Sequence, residues 1–317
     1  MSVPSPEVVT LAVPCRTDEP ALGRTLAAAL ASWRGAAAGR RLEVLVCLNG
    51  APRREPGAAV RAVAAAAGAA ATVVDVDGPL PGGLPLSSAA LSMVALITAQ
   101  AGKPHAWNVL RRLARGAVVL FMDADVSFAP DAFGRLLDAL ATHPRAVLAS
   151  GKTTCAARPG LFEAIMAAPY GVDFPNLSPQ LYAARLAALP PAFAEDLLEP
   201  EHWLELTVGP AAIVRCPDVS VIVRLPGTLA DFFRQRVRIE MGKVQISRQY
   251  PTLQRRGAVR PGPATVLRSL GWSGSGRLAV YVALRTVAHA LAWWRYQRAG
   301  TAGIWRQAAT TKQWDAA

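Results

Sequence analysis

The chain has 317 residues, a formal net charge of +12 and 52% apolar residues, enough for the core of one large or two small α/β domains. Its four cysteines are widely spaced and form no CxxC pair, which argues against a disulfide framework or a cysteine zinc site. The first residues lack the basic start and long apolar stretch of a secretory signal, and we expect a cytoplasmic protein.

Apolar runs and Ala-rich stretches alternate through the first 125 residues. In chain order they predict strand 8–14, helix 20–35, strand 42–50, helix 56–68, strand 71–78, helix 104–115 and strand 117–125. Near-continuous apolar strands that alternate with helices are typical of an α/β fold. We therefore predict a mostly parallel sheet with helices on both faces and with ligands at the carboxyl ends of its strands.

Within that pattern, the segment "GKPHAWN" opens a predicted helix. Gly102 permits an unusual backbone conformation, and Pro104 suits the first turn of a helix. Lys103 would then stand at the positive end of the helix, where a phosphate group is attracted. The alternative is that Lys103 is an ordinary solvated surface lysine.

Two acids, Asp123 and Asp125, end the last predicted strand. Residues two apart on a strand share a face, so the two carboxylates would concentrate negative charge at the rim of the sheet. A hard divalent cation, Mg²⁺ or Mn²⁺, relieves that repulsion and binds substrate phosphates as well. The pattern indicates a metal site for a nucleotide diphosphate, and the alternative is a solvated turn or a helix N-cap.

The positive charge is concentrated at the C-terminus. Residues 253–314 contain ten Arg or Lys and no Asp or Glu. The apolar, aromatic stretch 278–294 contains Arg285 and His289, which disfavours a spanning helix and indicates a helix that lies on an anionic membrane surface. We expect residues 253–317 to form a basic helical tail, bounded near 255–265, with no nucleic-acid partner. An ordinary core helix with snorkelling arginines is the alternative.

Five segments together resemble a family 2 glycosyltransferase with the GT-A fold: residues 13–30, 43–50, 102–110, 118–128 and 232–243. The resemblance extends over residues 8–245. It implies a domain at 1–252, with a donor half at about 1–128 and an acceptor half at about 129–252. It also implies an inverting, metal-dependent transfer of a sugar from a nucleotide-diphosphate donor, with a UDP-sugar favoured, to a hydroxyl acceptor.

The resemblance assigns donor-site roles residue by residue. It implies contacts to the nucleotide sugar from Pro14, Asp18, Glu19, Asn49, Asp75, Lys103, Asn108, Asp123, Gln235 and Arg238. Asp123 would bind the ribose or the metal ion, and Asp125 the metal ion. Asn49 replaces the acid that usually ends the second strand, so its contact would be a neutral hydrogen bond. Asp77 is a second candidate beside Asp75, although a plain exposed loop acid describes it more simply.

The acceptor half carries the candidates for the general base. By spacing, the resemblance favours Glu201, with Asp196 and Glu199 as alternatives. Gln235 and Arg238 keep the spacing of the QxxRW signature, but Ile239 replaces its Trp, which indicates one transfer per encounter rather than a processive synthase. Arg236, Arg238 and Lys243 would neutralise the departing diphosphate. The terminal "WRQAATTKQW" resembles the ends of some membrane-associated members.

Three other classes of protein share part of this pattern. A sugar-nucleotide pyrophosphorylase would carry a Gly-rich loop with Arg and Lys after the first strand, and "PCRTDEPALG" is not such a loop. A dinucleotide-dependent oxidoreductase would carry GxGxxG at that place, and the motif is missing. A non-catalytic, membrane-associated protein that binds a nucleotide sugar stays open. For the transferase we expect a lipid- or polyprenyl-linked acceptor at the inner face of the cell membrane.

Overall fold

A computed structural model describes residues 7–36, 39–50, 57–78, 89–156, 160–174, 176–254 and 262–300. Contacts divide the chain into two compact units. The first unit takes its described residues from 1–151, 178–195 and 211–221, and the second from 152–177, 196–210 and 222–317. The expected divisions near residues 128 and 252 stay predictions, and the second unit includes both the long helix of residues 229–249 and that of the tail.

The elements follow one another in this order: β1 Val8–Arg16, α1 Leu22–Ala36, β2 Arg41–Asn49, α2 Ala58–Ala66, β3 Ala71–Asp75, β4 Leu91–Thr98, α3 Lys103–Leu113, β5 Val118–Met122, β6 Ser127–Phe128, α4 Ala132–Thr142, β7 Leu148–Cys155, α5 Leu161–Ala167, β8 Leu181–Arg185, α6 Pro200–Val208, β9 Ile213–Val223, α7 Leu229–Gln249, α8 Pro251–Gln254 and α9 Pro263–Ala299. Short 3₁₀ turns lie at Ala168–Gly171, Leu186–Ala188 and Pro210–Ala212.

The sheet has the order β3-β4-β2-β1-β5-β8-β7-β9-β6. Strands β3, β4, β2, β1 and β5 are mutually parallel, and β8 runs antiparallel to β5 and β7. It belongs to the first unit, except for the last residues of β7 and β9. This architecture confirms the predicted α/β fold with a mostly parallel sheet.

Side chains on the central strands alternate between two helical layers. Val9, Leu11 and Val13 of β1 join a buried cluster with apolar residues of α1 and α4. On α3, Trp107 stacks on Phe121 of β5 with 4.9 Å between ring centroids, and its indole N–H donates to the Tyr182 hydroxyl at 3.0 Å. Successive side chains on a strand point to opposite faces of the sheet. Because helices cover both faces, β1 and β2 are buried along almost their whole length.

The sequence did not predict strand β4, "LSMVALIT". In the sheet it lies between β3 and β2. An apolar run of this length is compatible with a strand or a buried helix, and periodicity alone does not separate the two. Parallel pairing with β2 on one side and β3 on the other is what settles its structure.

The second unit is helical apart from the strand ends. Two small cores hold α7 and α9 together: Leu198, Val237, Met241, Ala288 and Ala292 in one, and Met166, Leu225, Phe232 and Tyr281 in the other. Helix α9 is interrupted at Gly271, whose φ of 64° and ψ of −174° are not helical. Among the described residues, no helix combines the length and the apolar character that crossing a membrane requires. Residues 255–261 of the expected boundary and the whole of "WRQAATTKQW" lie outside the described residues.

Candidate functional site

The carboxyl ends of the parallel strands bring most of the predicted donor-site residues of the first unit to one edge of the sheet. Asn49 ends β2 and is 6% exposed. Its amide donates to the Cys15 carbonyl at 2.7 Å and accepts from the Gly102 N–H at 3.0 Å. Asn49 therefore joins the end of β1 to the start of α3, and both polar groups of its side chain are used by the protein itself.

The predicted nucleotide-binding turn follows β1. Pro14 was expected to end this strand, but it pairs with Cys47 inside the β1–β2 ladder, and β1 continues to Arg16. The pairing of β1 with β5 ends at Ala12, so Pro14 lies beyond that register, where a missing N–H is better tolerated. Arg16 donates two hydrogen bonds to the Asp18 carboxylate at 2.9 and 3.0 Å. Glu19 accepts the Ala21 N–H at 3.2 Å, just before α1 begins.

Asp123 and Asp125 lie immediately after β5. The strand ends at Met122, three residues earlier than predicted, and Asp125 is part of a turn. Ala124 and Val126 are buried in the core, whereas both acids are half-buried. The alternation directs the small apolar side chains inward and leaves the two carboxylates accessible at the rim of the sheet.

Helix α3 supplies a cation to one of these two acids. Gly102 precedes the helix with a φ of 140°, a conformation that favours glycine, and Lys103 begins the helix. The Lys103 ammonium is 2.7 Å from Asp123 Oδ1. Asn108, another predicted ligand, accepts from the Phe193 N–H at 2.7 Å and donates to the Phe193 carbonyl at 3.0 Å.

A hydrogen-bonded chain beside α3 was not predicted. Asp75 accepts the Asp77 N–H at 2.9 Å, and Asp77 is an exposed acid that accepts from the Thr98 hydroxyl and the Ala99 N–H, both at 2.6 Å. These bonds, the Ala99 N–H first, hold the pKa of Asp77 below its usual range. The chain continues from Thr98 through His105 to Glu195. One feature of the sequence could have indicated this chain of hydrogen bonds: the polar Thr98 at the end of an apolar run.

The candidate bases belong to the second unit. Asp196 is exposed, and its carboxylate accepts from the side-chain amides of Gln245 at 3.1 Å and Gln249 at 3.4 Å. Glu199 pairs with Arg238 at 3.5 Å. Glu201, which spacing favoured, lies in the first turn of α6 and is 7% exposed.

Helix α7 carries the predicted diphosphate contacts. Arg238 also donates to the Leu198 carbonyl at 3.3 Å, and Gln235 is half-buried on the same helix. Gly242 allows a close approach, because a Cβ there would come within 2.4 Å of Glu199 Cγ. Gln245, which the sequence did not single out, is fully buried and accepts from the Leu198 N–H at 3.0 Å.

A buried carboxylate ties α7 to α9. Glu240 is 2% exposed and accepts from Arg285 at 2.8 Å, Lys243 at 3.1 Å and His289 at 3.2 Å. Burial raises the pKa of Glu240, but the charges of Lys243 and Arg285 outweigh it and bring the pKa below its usual range. Lys243 and Arg285 are therefore already paired within the protein.

Among the described residues, no group of three or more His, Cys, Asp or Glu is arranged to hold a metal ion. A cation at Asp123 and Asp125 would have to complete its coordination from other sources. Hard cations such as Mg²⁺ are commonly held by one or two carboxylates together with water and substrate phosphates. The chemistry of the two acids fits such an ion.

Comparisons with known proteins give a family and a fold for this chain. Residues 6–192 match the family model described as "Glycosyltransferase like family 2". None of the curated proteins gave a significant match. The mannosyltransferase PcManGT from Pyrobaculum calidifontis, solved with GDP-Man and Mn²⁺, is 21% identical, covers 98% of this chain and 88% of its own, and has a TM-score of 0.54.

Two further solved structures are similar. Staphylococcus aureus TarS 1–349 with UDP-GlcNAc is 14% identical over 92% of each chain, with a TM-score of 0.46. Glucosyl-3-phosphoglycerate synthase from Mycobacterium tuberculosis, with Mn²⁺, UDP and its product, is 18% identical over 66% of this chain and 69% of its own, with a TM-score of 0.38. Of these three matches, the mannosyltransferase is the one whose TM-score, 0.54, is high enough to show a shared fold.

Proposed function

Because the chain belongs to glycosyltransferase family 2 and has the GT-A fold, we propose that it transfers a sugar from a nucleotide-diphosphate donor to a hydroxyl acceptor with inversion. The observation that carries this proposal is the cluster of Asp123, Asp125 and Lys103 at the carboxyl ends of the strands. Two accessible acids beside an ammonium group and a helix N-terminus suit a diphosphate and its cation.

Asp123 and Asp125 would hold Mg²⁺ or Mn²⁺. When bound, such an ion neutralises the negative charge that develops on the leaving diphosphate. Lys103 would lie beside the same phosphates, where its ammonium group adds a second positive charge. The turn with Asp18 and Glu19 would contact the nucleoside, and we favour a UDP-sugar as donor and a hexose as the transferred group.

For the general base we propose Asp196 rather than Glu201. A base must reach the acceptor hydroxyl within hydrogen-bond distance, and Asp196 is exposed whereas Glu201 is buried. The amide of Gln245 donates to the Asp196 carboxylate and holds it in one orientation. The carboxylate would take the hydroxyl proton as the oxygen attacks the anomeric carbon, which displaces the nucleoside diphosphate in one step.

Thermal unfolding with Mn²⁺ and a panel of UDP, GDP, dTDP and CMP nucleotides and their sugars tests the donor site. At 100 times its Kd, the true nucleotide should stabilise the protein by about 2.7 kcal/mol. The shift should disappear with chelator and in Asp125→Ala, and it should persist in Asp138→Ala, which removes an exposed acid from α4. If no nucleotide raises the unfolding temperature of the wild type, the proposal fails.

Turnover separates a transferase from a non-catalytic binding protein. With the donor that the panel identifies, we expect release of the nucleoside diphosphate from wild type. Asp196→Asn should bind the nucleotide normally and lose turnover by about 10²–10⁴-fold, the usual contribution of a general base. Binding without any turnover in the wild type would favour the non-catalytic alternative.

We further propose that α9 rests on the inner face of the cell membrane and that the acceptor is lipid-linked. Six large apolar residues of α9 beyond residue 278 are 39–51% exposed: Val280, Val287, Leu291 and Trp294 on one side, and Val282 and Trp293 on another. The helix has no acidic residue, and Arg298 lies 4.2 Å over the Trp294 ring. An apolar stripe with arginines and tryptophan suits the interface of an anionic bilayer.

Co-sedimentation with vesicles tests this location. The wild type should bind phosphatidylglycerol vesicles more tightly than phosphatidylcholine vesicles. Val287→Asp with Leu291→Asp should abolish binding. Ala27→Asp with Ala31→Asp adds the same charge at the same spacing on an exposed part of α1 and should not. If both double variants lost vesicle binding equally, the loss would come from the added negative charge, and a role for the apolar stripe would be contradicted.

A further inference from the structure

Four basic side chains of α7 and α9 surround the buried carboxylate of Glu240, and all of them belong to the second unit. Lys243 and Arg285 bind the same carboxylate oxygen, Oε1, at 3.1 and 2.8 Å. Arg236 lies 3.9 Å from that oxygen, and His289 Nδ1 lies 3.2 Å from the other oxygen. We refer to Arg236, Lys243, Arg285 and His289 as the basic cluster.

Positive charge exceeds negative charge in the basic cluster. Two arginines and one lysine face a single carboxylate, which leaves a formal excess of two positive charges. Helix α9 contains no acid, and the other acid of α7, Asp231, pairs with an arginine of its own helix. Burial lowers the pKa of Lys243, and the two arginines lower it further against the attraction of Glu240. An anion beside Lys243 would relieve this crowding of positive charge.

The basic cluster keeps hydrogen-bond donors that Glu240 does not use. In the part of the chain that the structure describes, the guanidinium of Arg285 donates to Glu240 through Nε. Its two terminal amino groups form a fork that matches phosphate oxygens. Arg285 and His289 have exposed side chains and Lys243 is half-buried, so an anion can reach these groups from solvent.

Exposed apolar side chains of α9 lie beside these cations. Val282 is three residues before Arg285, and Trp293 is four residues after His289. Residues three or four apart are neighbours on the surface of a helix. Val282 is 48% exposed and Trp293 is 50% exposed. Cations next to exposed apolar groups suit a ligand that joins an anionic head to a hydrocarbon chain.

We propose that the basic cluster binds the phosphate monoester headgroup of a membrane lipid. A monoester brings up to two negative charges and three terminal oxygens, which suits an excess of two positive charges. A phosphodiester brings fewer of both. The hydrocarbon chains of the lipid lie along Val282 and Trp293. The inference rests on the proposed position of α9 at a membrane, and it needs neither the sugar donor nor the transfer reaction.

Vesicles that differ in their headgroups test the site. Vesicles with about 10% phosphatidic acid, a monoester, are compared with vesicles with about 20% phosphatidylglycerol, a diester, so that the surface charge is similar. Wild type should bind the phosphatidic acid vesicles about tenfold more tightly, the effect of one additional charge-assisted contact. Equal binding to both would overturn the proposal, because a general attraction to negative charge would explain it.

Three variants separate the headgroup site from net charge and from folding. Arg285→Gln should lose the preference for phosphatidic acid. Arg277→Gln removes the same charge from an exposed position of the same helix and should keep the preference. Glu240→Gln disrupts the same ion pairs but retains the cations, so it should keep the preference as well. If Glu240→Gln loses the preference as Arg285→Gln does, the basic cluster has a purely structural role and the proposal fails.

A soluble, short-chain lipid separates the site from the membrane. In calorimetric titration without vesicles, dihexanoyl phosphatidic acid should bind wild type and the double variant Val287→Asp, Leu291→Asp. It should bind Arg285→Gln about tenfold more weakly. Binding of this lipid by a protein that binds no vesicles would support the basic cluster and count against the membrane position of α9. Equally tight binding of inorganic phosphate would overturn the assignment to a lipid.

The sugar donor is the other phosphate ligand to exclude, because Arg236 and Lys243 were expected to contact the departing diphosphate. UDP with Mn²⁺ should leave the binding of dihexanoyl phosphatidic acid unchanged. Displacement of the lipid by UDP would assign the basic cluster to the donor site and overturn the proposal. If the lipid binds and UDP with Mn²⁺ does not bind at all, the headgroup site is supported and UDP is excluded as the donor nucleotide.

Discussion

Asn49 is a predicted donor-site residue whose side chain also stabilises the fold through hydrogen bonds. Asn49→Asp restores the acid that usually ends the second strand, but it replaces the N–H₂ group that donates to the Cys15 carbonyl. Two acceptor oxygens would then face each other at a buried site. We expect a loss of about 2–3 kcal/mol in the free energy of unfolding, measured by denaturant titration. A variant as stable as wild type would show that the amide bond to Cys15 contributes nothing.

Lys103 carries a prediction about the donor rather than about stability. Lys103→Met removes the ammonium group near Asp123 and should weaken nucleotide binding about tenfold, the effect of one charge-assisted contact. Arg112→Met is the control, because it removes one positive charge from an exposed position of the same helix. Calorimetric titration of both variants would measure the difference, and equal losses would indicate a general effect of charge.

Individual side chains also mark the limit of what the sequence could predict. Two acids after an apolar run predicted a metal site at Asp123 and Asp125; the structure leaves both side chains accessible, and the metal site stays a prediction. The roles of Asn49 and Asn108 could not be predicted, because their partners, Cys15, Gly102 and Phe193, are brought near by strand pairing and loop packing. A single sequence does not state such non-local contacts.

Among the elements, α7 and α9 are joined by one buried carboxylate, Glu240, in addition to the two apolar cores that they share. Glu240→Gln leaves Arg285 and Lys243 near a neutral amide at a buried position, and we expect a loss of about 2 kcal/mol. Because the pKa of Glu240 is lowered, wild type has this advantage above about pH 4.5 and loses it as the pH falls through the folded pKa.

Thermal unfolding at pH 7 and pH 4 would measure the effect of Glu240→Gln. The control is Asp218→Asn, because Asp218 is 78% exposed and its pair with Arg135 spans 3.6 Å. That variant should unfold at the wild-type temperature. If Glu240→Gln were equally silent at pH 7, the ion pairs between α7 and α9 would have no net effect on stability.

At the level of elements, strands β1, β2, β3 and β5 and helices α1, α2 and α3 could be predicted because their apolar runs are clearly separated along the chain. Strand β4 could not, since its place is fixed by pairing with β2 and β3. The strands after residue 128 were not predicted either. Antiparallel β8 is buried in the middle of the sheet and follows no strand–helix alternation.

For the whole molecule, the two units predict the effect of truncation. A chain that ends at residue 252 would lose Tyr281, Ala288 and Ala292 from the cores that they share with α7. We expect this shorter chain to aggregate, which size-exclusion chromatography would show. If it stays soluble, we expect the unfolding transition of the second unit to be missing from its thermal melt by circular dichroism. A chain that ends at residue 300 keeps the described contacts of α9 and should behave as the full chain. A stable, soluble 1–252 protein would instead support the boundary predicted from the sequence.

The first unit is assembled from three separate stretches, and the last of them ends at residue 221. Its central strand β1 pairs with β5, so that Val9 meets Val118. Such pairing has a high contact order, and its cost in chain entropy precedes its benefit. At 5–20 residues per second, a ribosome needs roughly 10–45 s to synthesise those 221 residues. Strands β1 to β4 have their sheet partners once β5 is made, but β5 and β7 wait for β8, and we expect chaperones that shield nascent chains to bind at this stage.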